Sequence, residues 1–202
     1  MNQPKTARLH MSLKNTLLAL AIVLAVLATG ARAQQSLGGI VKEYGFDWII
    51  GRWVATTDEG EKIQIEYEWQ LNRHLITLHI KGPDYEYQGM IFYRPAEDEV
   101  VQIGVDSKGG NGKGIWDVEG NKAIIKYEHI GADGEANRMA IAHSKVDADT
   151  MKAEVYSVDS SGQIADEPRD TLEYKRQKKQ PQEKTADKTS KVSKEKQKEK
   201  AE

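Results

Sequence analysis

Four histidines fall in segments that alternate like strands: His74, His79, His129 and His143. Histidine is the side chain that would hold a metal or a haem, or move protons near neutral pH. Their spacing gives neither His-x-His nor His-Glu-x-x-His, so zinc chemistry of that kind is not indicated. They read as ordinary partly buried or surface histidines, and neither a metal nor a cofactor is expected. Glu66 and Glu68, or Asp106 beside Ser107, could be cast as general acid and base, but no Ser/His/Asp order of known spacing surrounds them. Glu66 and Glu68 share the polar face of an alternating segment, which reads as a solvated face. Gly109-Gly110-Asn111-Gly112-Lys113-Gly114 invites comparison with a phosphate loop. It lacks a hydroxyl residue after the lysine, and no helix follows to aim its N-terminus at an anion. It reads instead as a flexible hairpin loop, free to act as a lid.

What is left is chemistry of recognition. Tyr67, Trp69, Tyr85, Tyr87, Tyr93, Trp116, Tyr127 and Tyr156 all fall in strand-like segments. A buried phenol needs a hydrogen-bond partner, which a ligand or an ordered water often supplies. Arg73, Arg94 and Arg138 are the cations best placed to reach an interior and pair with an anionic ligand. The residues expected to line a ligand site are therefore Trp69, Arg73, Tyr87, Tyr93, Arg94, Trp116, Tyr127 and Arg138.

The elements that must position these side chains are strands. Segment 62–70 alternates cleanly, with Ile63, Ile65, Tyr67 and Trp69 on one face and Gln64, Glu66 and Glu68 on the other. Further strands are read at 52–57, 74–81, 85–94, 99–106, 114–119, 122–130, 135–146, 150–158 and 170–176. Gly82-Pro83-Asp84, Glu119-Gly120-Asn121, Ala132-Asp133-Gly134 and Asp147-Ala148-Asp149 suit tight reversals between them. About ten antiparallel strands with short connections make an up-and-down meander, and closure into a barrel removes its edges. Segment 40–50 is expected to form a helical turn or two leading into Trp53.

Before this β region, Lys5, Arg8 and Lys14 precede an apolar run at 16–28, and Ala31-Arg32-Ala33 offers a small-x-small cleavage site. That is the pattern of a secretory leader, with Met1 or Met11 as the start and an exported, periplasmic or secreted product beginning near Gln34. The chain has no cysteine, which excludes a disulfide-stapled scaffold, a lipid-anchored cysteine and thiol chemistry. Its net charge of −2 hides an asymmetry: residues 34–174 hold 14 Lys/Arg against 26 Asp/Glu, a net of −12. Residues 175–202 hold 11 against five, a net of +6. A domain that acidic repels phosphate backbones, so nucleic-acid binding by it is not expected. From Gln177 onward Val192 is the only aliphatic residue beyond alanine, and the segment reads as a disordered charged tail. It could solvate the domain or touch an anionic envelope surface or an acidic protein. The expected organisation is a leader at 1–33, a lead-in at 34–45, a barrel at 46–176 and a tail at 177–202, in a monomer.

Phe46-Asp47-Trp48-Ile49-Ile50-Gly51-Arg52-Trp53 resembles the Leu-x-x-Leu-x-Gly-x-Trp opening of a bacterial family of unknown function with a lipocalin-like (calycin-type) barrel. Trp69-Gln70-Leu71-Asn72-Arg73-His74-Leu75, Gly89-Met90-Ile91-Phe92-Tyr93 and Val105-Asp106-Ser107-Lys108-Gly109 resemble its later blocks, and Tyr174-Lys175-Arg176 fits its last strand. Gly104 stands where family members often carry a tryptophan, and the Trp-Leu block is spaced slightly differently. Haem-binding barrels of similar shape open with Gly-x-Trp-x-Gly-x-Gly, whereas here Trp53 is followed by Val54-Ala55-Thr56. The resemblance implies an all-β antiparallel barrel in which Trp48, Gly51 and Trp53 plug one end. The leading functional expectation is a barrel that binds a small molecule in an aromatic-lined cavity. A non-enzymatic envelope interaction protein using the basic tail is the second, and a barrel enzyme acting on a small substrate the third.

Overall fold

The computed structural model describes residues 35–178, so the expected leader, and the expected tail beyond Lys178, lie outside the described residues. A short helix α1 (Leu37–Glu43) begins the described chain. Ser36 caps it, its Oγ accepting the Gly39 N–H at 3.2 Å, and Gly45 in the left-handed region (φ 72°) turns the chain out of it. A 3-10 turn (Asp47–Ile49) then delivers the backbone into ten strands. They are β1 (Gly51–Thr56), β2 (Lys62–Gln70), β3 (Leu75–Lys81), β4 (Glu86–Arg94) and β5 (Glu99–Asp106). Then come β6 (Asn111–Glu119), β7 (Lys122–Ile130), β8 (Ala136–Lys145), β9 (Thr150–Ser157) and β10 (Asp170–Gln177). Every strand pairs antiparallel with the next, and β1 returns to β10, closing the barrel.

Alternation assigns each strand one inward face. On β2 the inward set is Ile63, Ile65, Tyr67 and Trp69, as the period of two predicts. β5 inverts the usual rule: Val100, Gln102, Gly104 and Asp106 face in, while Val101, Ile103 and Val105 face out. The interior of this wall is the more polar side.

The glycine-rich stretch is not a loop. β6 already begins at Asn111, and Gly112 and Gly114 are laddered to Gly104 and Gln102 on β5. The reversal is confined to residues 107–110. There Asp106 Oδ1 accepts the N–H groups of Lys108 at 2.8 Å and Gly110 at 3.0 Å. The glycines serve space rather than flexibility. A Cβ at Gly112 would stand 2.3 Å from the Tyr127 hydroxyl, and one at Gly104 would stand 2.3 Å from that of Tyr87. Two large phenols fill the barrel where side chains are missing from its wall.

Trp53 is fully buried, and its indole N–H donates to the Ile49 carbonyl at 2.8 Å. Trp48 meets it edge-on, with ring centroids 6.4 Å apart. The Arg176 guanidinium stacks 4.0 Å from the Trp53 ring and donates to the carbonyls of Ile50 (2.9 Å) and Trp48 (2.6 Å). Gly51 has φ +125°, and a Cβ there would lie 2.8 Å from Arg176 Nη1, so the position needs glycine twice over. A smaller apolar cluster of Ile124, Ala140 and Ala142 lies outside the barrel wall, packed against Tyr156, Val158 and Ile164.

Candidate ligand cavity beneath the N-terminal helix

Inward residues of β2 through β7 and the inner face of α1 enclose a cavity of about 360 Å³. Most of its lining residues are apolar, including Leu37, Val41, Ile49, Ile76, Ile91, Val100, Val118 and Ala123, and Tyr67 and Trp116 line it as well. Exposed Gln35, Tyr44 and Asp98 stand at its rim, while Asp117, between inward Trp116 and Val118, borders it from the outward face of β6. The size lies at the small end of the range that ligand pockets span, roughly 300–1,000 Å³.

α1 is short and needs fastening to act as a cap. Its buried residues Leu37 and Gly38 supply that. Gly38 lets Arg73 lie against the helix, since a Cβ there would be 2.8 Å from Arg73 Cβ. Arg73 also pairs with Asp47 and stacks 4.7 Å over the Trp69 ring. Arg73 thus sits on the outside of the cap and holds it to the β2–β3 corner.

Behind Tyr67 and Trp116 runs a belt of buried polar groups. Tyr127 donates to the Tyr87 hydroxyl at 2.9 Å, and Gln102 Nε2 donates to the same oxygen at 3.3 Å. Gln102 Oε1 accepts the Trp116 indole N–H at 3.1 Å. The Trp116 ring leans on His143 (centroids 5.4 Å apart, 39° between planes), and His143 Nε2 shares a 3.3 Å hydrogen bond with the Tyr67 hydroxyl. Burial pushes the Tyr67 phenol well above its ordinary range. Burial does the same to Tyr127, helped by its bond to Tyr87. Both therefore remain neutral donors. Burial also pushes His143 down to about 4, against a smaller opposing effect from backbone groups of Ala123 and Ile141. Its Nδ1 makes no hydrogen bond of ordinary geometry. If Nδ1 carries the proton, a buried N–H is unpaired; if Nε2 does, the Tyr67 O–H is released toward another acceptor. Each tautomer leaves at least one hydrogen-bonding valence open in a group that borders the cavity or lies directly behind it.

At the far end of the barrel, Asp106 and His129 pair at 2.6 Å. Burial opposes the Asp106 charge, but the His129 bond and the N–H groups of Gly110 and Lys108 outweigh it and hold the carboxyl below its usual range. The same phenol-lined end raises Tyr85 to about 12, through burial first and Asp106 second. Asp106 spends its oxygens on the 107–110 turn and on His129, so the pair pins a turn.

Of the eight residues expected to line a site, Trp116 borders the cavity, Tyr87 and Tyr127 belong to the belt behind it, and Trp69 and Tyr93 face inward and are half-buried. The Tyr93 hydroxyl donates to Asp98 at 2.7 Å. The three arginines stay outside. Arg94 pairs with Glu97 at 2.7 Å, Arg138 with Glu128 at 2.7 Å, and Arg73 with Asp47. Gln102, His143 and Arg176 were not foreseen. A signal for Gln102 existed in the polar face of β5, but alternation alone does not say which face turns inward.

The fold and its cavity define a closed antiparallel β-barrel of lipocalin-like shape, an architecture compatible with a binding protein. A scan against protein-family models finds no match, and a search of curated proteins finds none either. The bacterial barrel family therefore stands as a resemblance in the sequence blocks, alongside a fold that agrees with it.

Proposed function

We propose that this protein binds a small, largely apolar or aromatic molecule in the barrel, beneath α1. The observation that carries this reading is the cavity of about 360 Å³ beneath α1, most of whose lining residues are apolar, with Tyr67 and Trp116 among the rest. An apolar wall supplies affinity, and a few placed polar groups orient the ligand. Export belongs to the same proposal and is supported by the leader pattern at 1–33; contact with an anionic surface or acidic protein through residues 175–202 is supported by their charge.

The test is titration with an environment-sensitive apolar fluorophore, read also through quenching of Trp116, for wild type and Val118→Phe. Val118 lines the cavity and is half-buried, so a phenyl ring there fills space without uncovering a polar group. Saturable binding to wild type that Val118→Phe abolishes, with the fold intact by circular dichroism, is the expected result. Binding that Val118→Phe leaves unchanged, or no binding by wild type, would overturn the reading.

A further inference from the structure

The inverted pattern of β5 leaves an apolar row on the outside of the barrel. Ile103 and Val105 are 39% and 58% exposed, and beside them stand Met90 on β4 (44%) and Ile115 on β6 (45%). Ile103 is laddered to Met90 on one side and Lys113 on the other. Along β5 it lies between Val101 and Val105, and its diagonal neighbours are Gln88, Phe92, Asn111 and Ile115. Lys113 is the one charged residue in that ring. Two shallow grooves meet over Ile103 and Lys113. Among the charged residues that line them, Arg138 pairs with Glu128, and Arg94 with Glu97 and Glu99. Lys113 and Lys126 enter no ion pair among the described residues. Asp117, on the same outward face of β6, bounds the patch beyond Ile115. A contiguous exposed apolar patch marks a contact surface.

We propose that this outer face of β4 to β7 docks on an anionic lipid bilayer, with Met90, Ile103 and Val105 entering its interface and Lys113 and Lys126 meeting the headgroups. Closure of the barrel leaves no strand edge, so a partner peptide cannot extend the sheet. The face offers apolar surface and cations, and a bilayer takes both without a matched shape. A second copy fits less well, because an isologous contact sets the same patch, with its unpaired lysines, against itself. The net charge of −12 over residues 34–174 opposes approach from a distance. Charges beyond about 8 Å are largely screened at physiological salt, so the local sign decides. β5 lies five strands from β10 in either direction around the barrel, so this surface is distinct from the basic segment at 175–202. It also shares no residue with the lining of the cavity.

The chain has no cysteine, so a polarity-sensitive fluorophore can be attached to the full chain at one site. Val105→Cys puts it on this face, and Thr171→Cys puts it on the outward face of β10. Each labelled chain is mixed with vesicles of phosphatidylcholine alone or with phosphatidylglycerol added. The expected result is a blue shift at position 105 on the anionic vesicles and none at 171. Lys113→Gln with Lys126→Gln should weaken that partitioning about thirtyfold, the effect of two basic residues beside an anionic surface. Met90→Gln with Ile103→Thr should abolish the blue shift, with circular dichroism unchanged because both side chains point outward. Should that variant unfold, the lysine variant decides, and undiminished partitioning by it overturns the proposal. An unchanged spectrum at 105 on anionic vesicles overturns it as well, whether the chain stays free or binds through residues 175–202. So do equal shifts on the two kinds of vesicle. A shift at 105 that grows with protein concentration without lipid would give the face to a second copy instead.

Discussion

Acid should unfold this barrel through His143, and the effect can be sized. The ring is buried, burial holds its pKa at about 4, and an unfolded histidine titrates near 6.5. Because the folded state binds the proton less readily, its stability is complete above the unfolded value. It then falls progressively as the pH drops from about 6.5 towards about 4. A gap of about 2.5 units at 1.36 kcal/mol each gives a loss of about 3 kcal/mol across that window. Typical domains hold only about 5–15 kcal/mol in total, so the loss is large. The assay is urea unfolding at a series of pH values for wild type, His143→Gln and Tyr67→Phe. His143→Gln removes the titrating group, so its stability should fall less steeply in the same window, by that amount. Tyr67→Phe deletes the hydrogen-bond partner but leaves the ring buried. It should stay acid-sensitive, because desolvation is the main cause of the shift. Parallel pH curves for wild type and His143→Gln would refute the reasoning, showing that the imidazole reaches water or finds an acceptor when charged.

Two further substitutions probe the packing. Arg176→Lys keeps the charge but cannot reproduce the forked donation to Ile50 and Trp48 or the stacking on Trp53; it should cost about 2–4 kcal/mol in chemical denaturation, and a near-neutral result would show the fork to be idle. Gly89→Ala would place a Cβ 2.7 Å from Tyr87 Cε1 and should cost about 1–3 kcal/mol. In a Tyr87→Leu background that cost should largely vanish, and additive losses in the double-mutant cycle would rule out the steric account.

Where local chemistry decided structure, the sequence was legible. β2, β5 and β7 run over the residues that alternation and turn chemistry assign them, because a half-buried strand and a Gly/Asn/Asp reversal are local signals. The glycine-rich stretch was misread for a tertiary reason. Its lack of side chains answers to Tyr87 and Tyr127 arriving from β4 and β7, and only the folded arrangement brings those rings over Gly104 and Gly112. Arg73, Arg94 and Arg138 each pair with an acid on the outside, Asp47, Glu97 and Glu128, and which way a long cation turns is not a local signal. Gly51 and Trp53 are neighbours in sequence, but Arg176 reaches them from the other end of the barrel sequence, beyond any local pattern.

The join between β1 and β10 has a consequence for how the molecule comes into being. It rests on the pairs Arg52–Gln177, Trp53–Arg176 and Val54–Lys175, whereas the adjoining β1–β2 and β9–β10 ladders are longer. Every other pairing links consecutive strands and can zip as the chain emerges, but this one must wait for the last strand. Until then β1 presents an open edge, and Trp53 lacks the guanidinium that seats on it. Closure over so long a separation is the slow kind of contact. Such a half-built sheet is the aggregation-exposed species of this chain's folding. A nascent chain would spend its vulnerable time in that open form, and the moment at which Arg176 docks would end it.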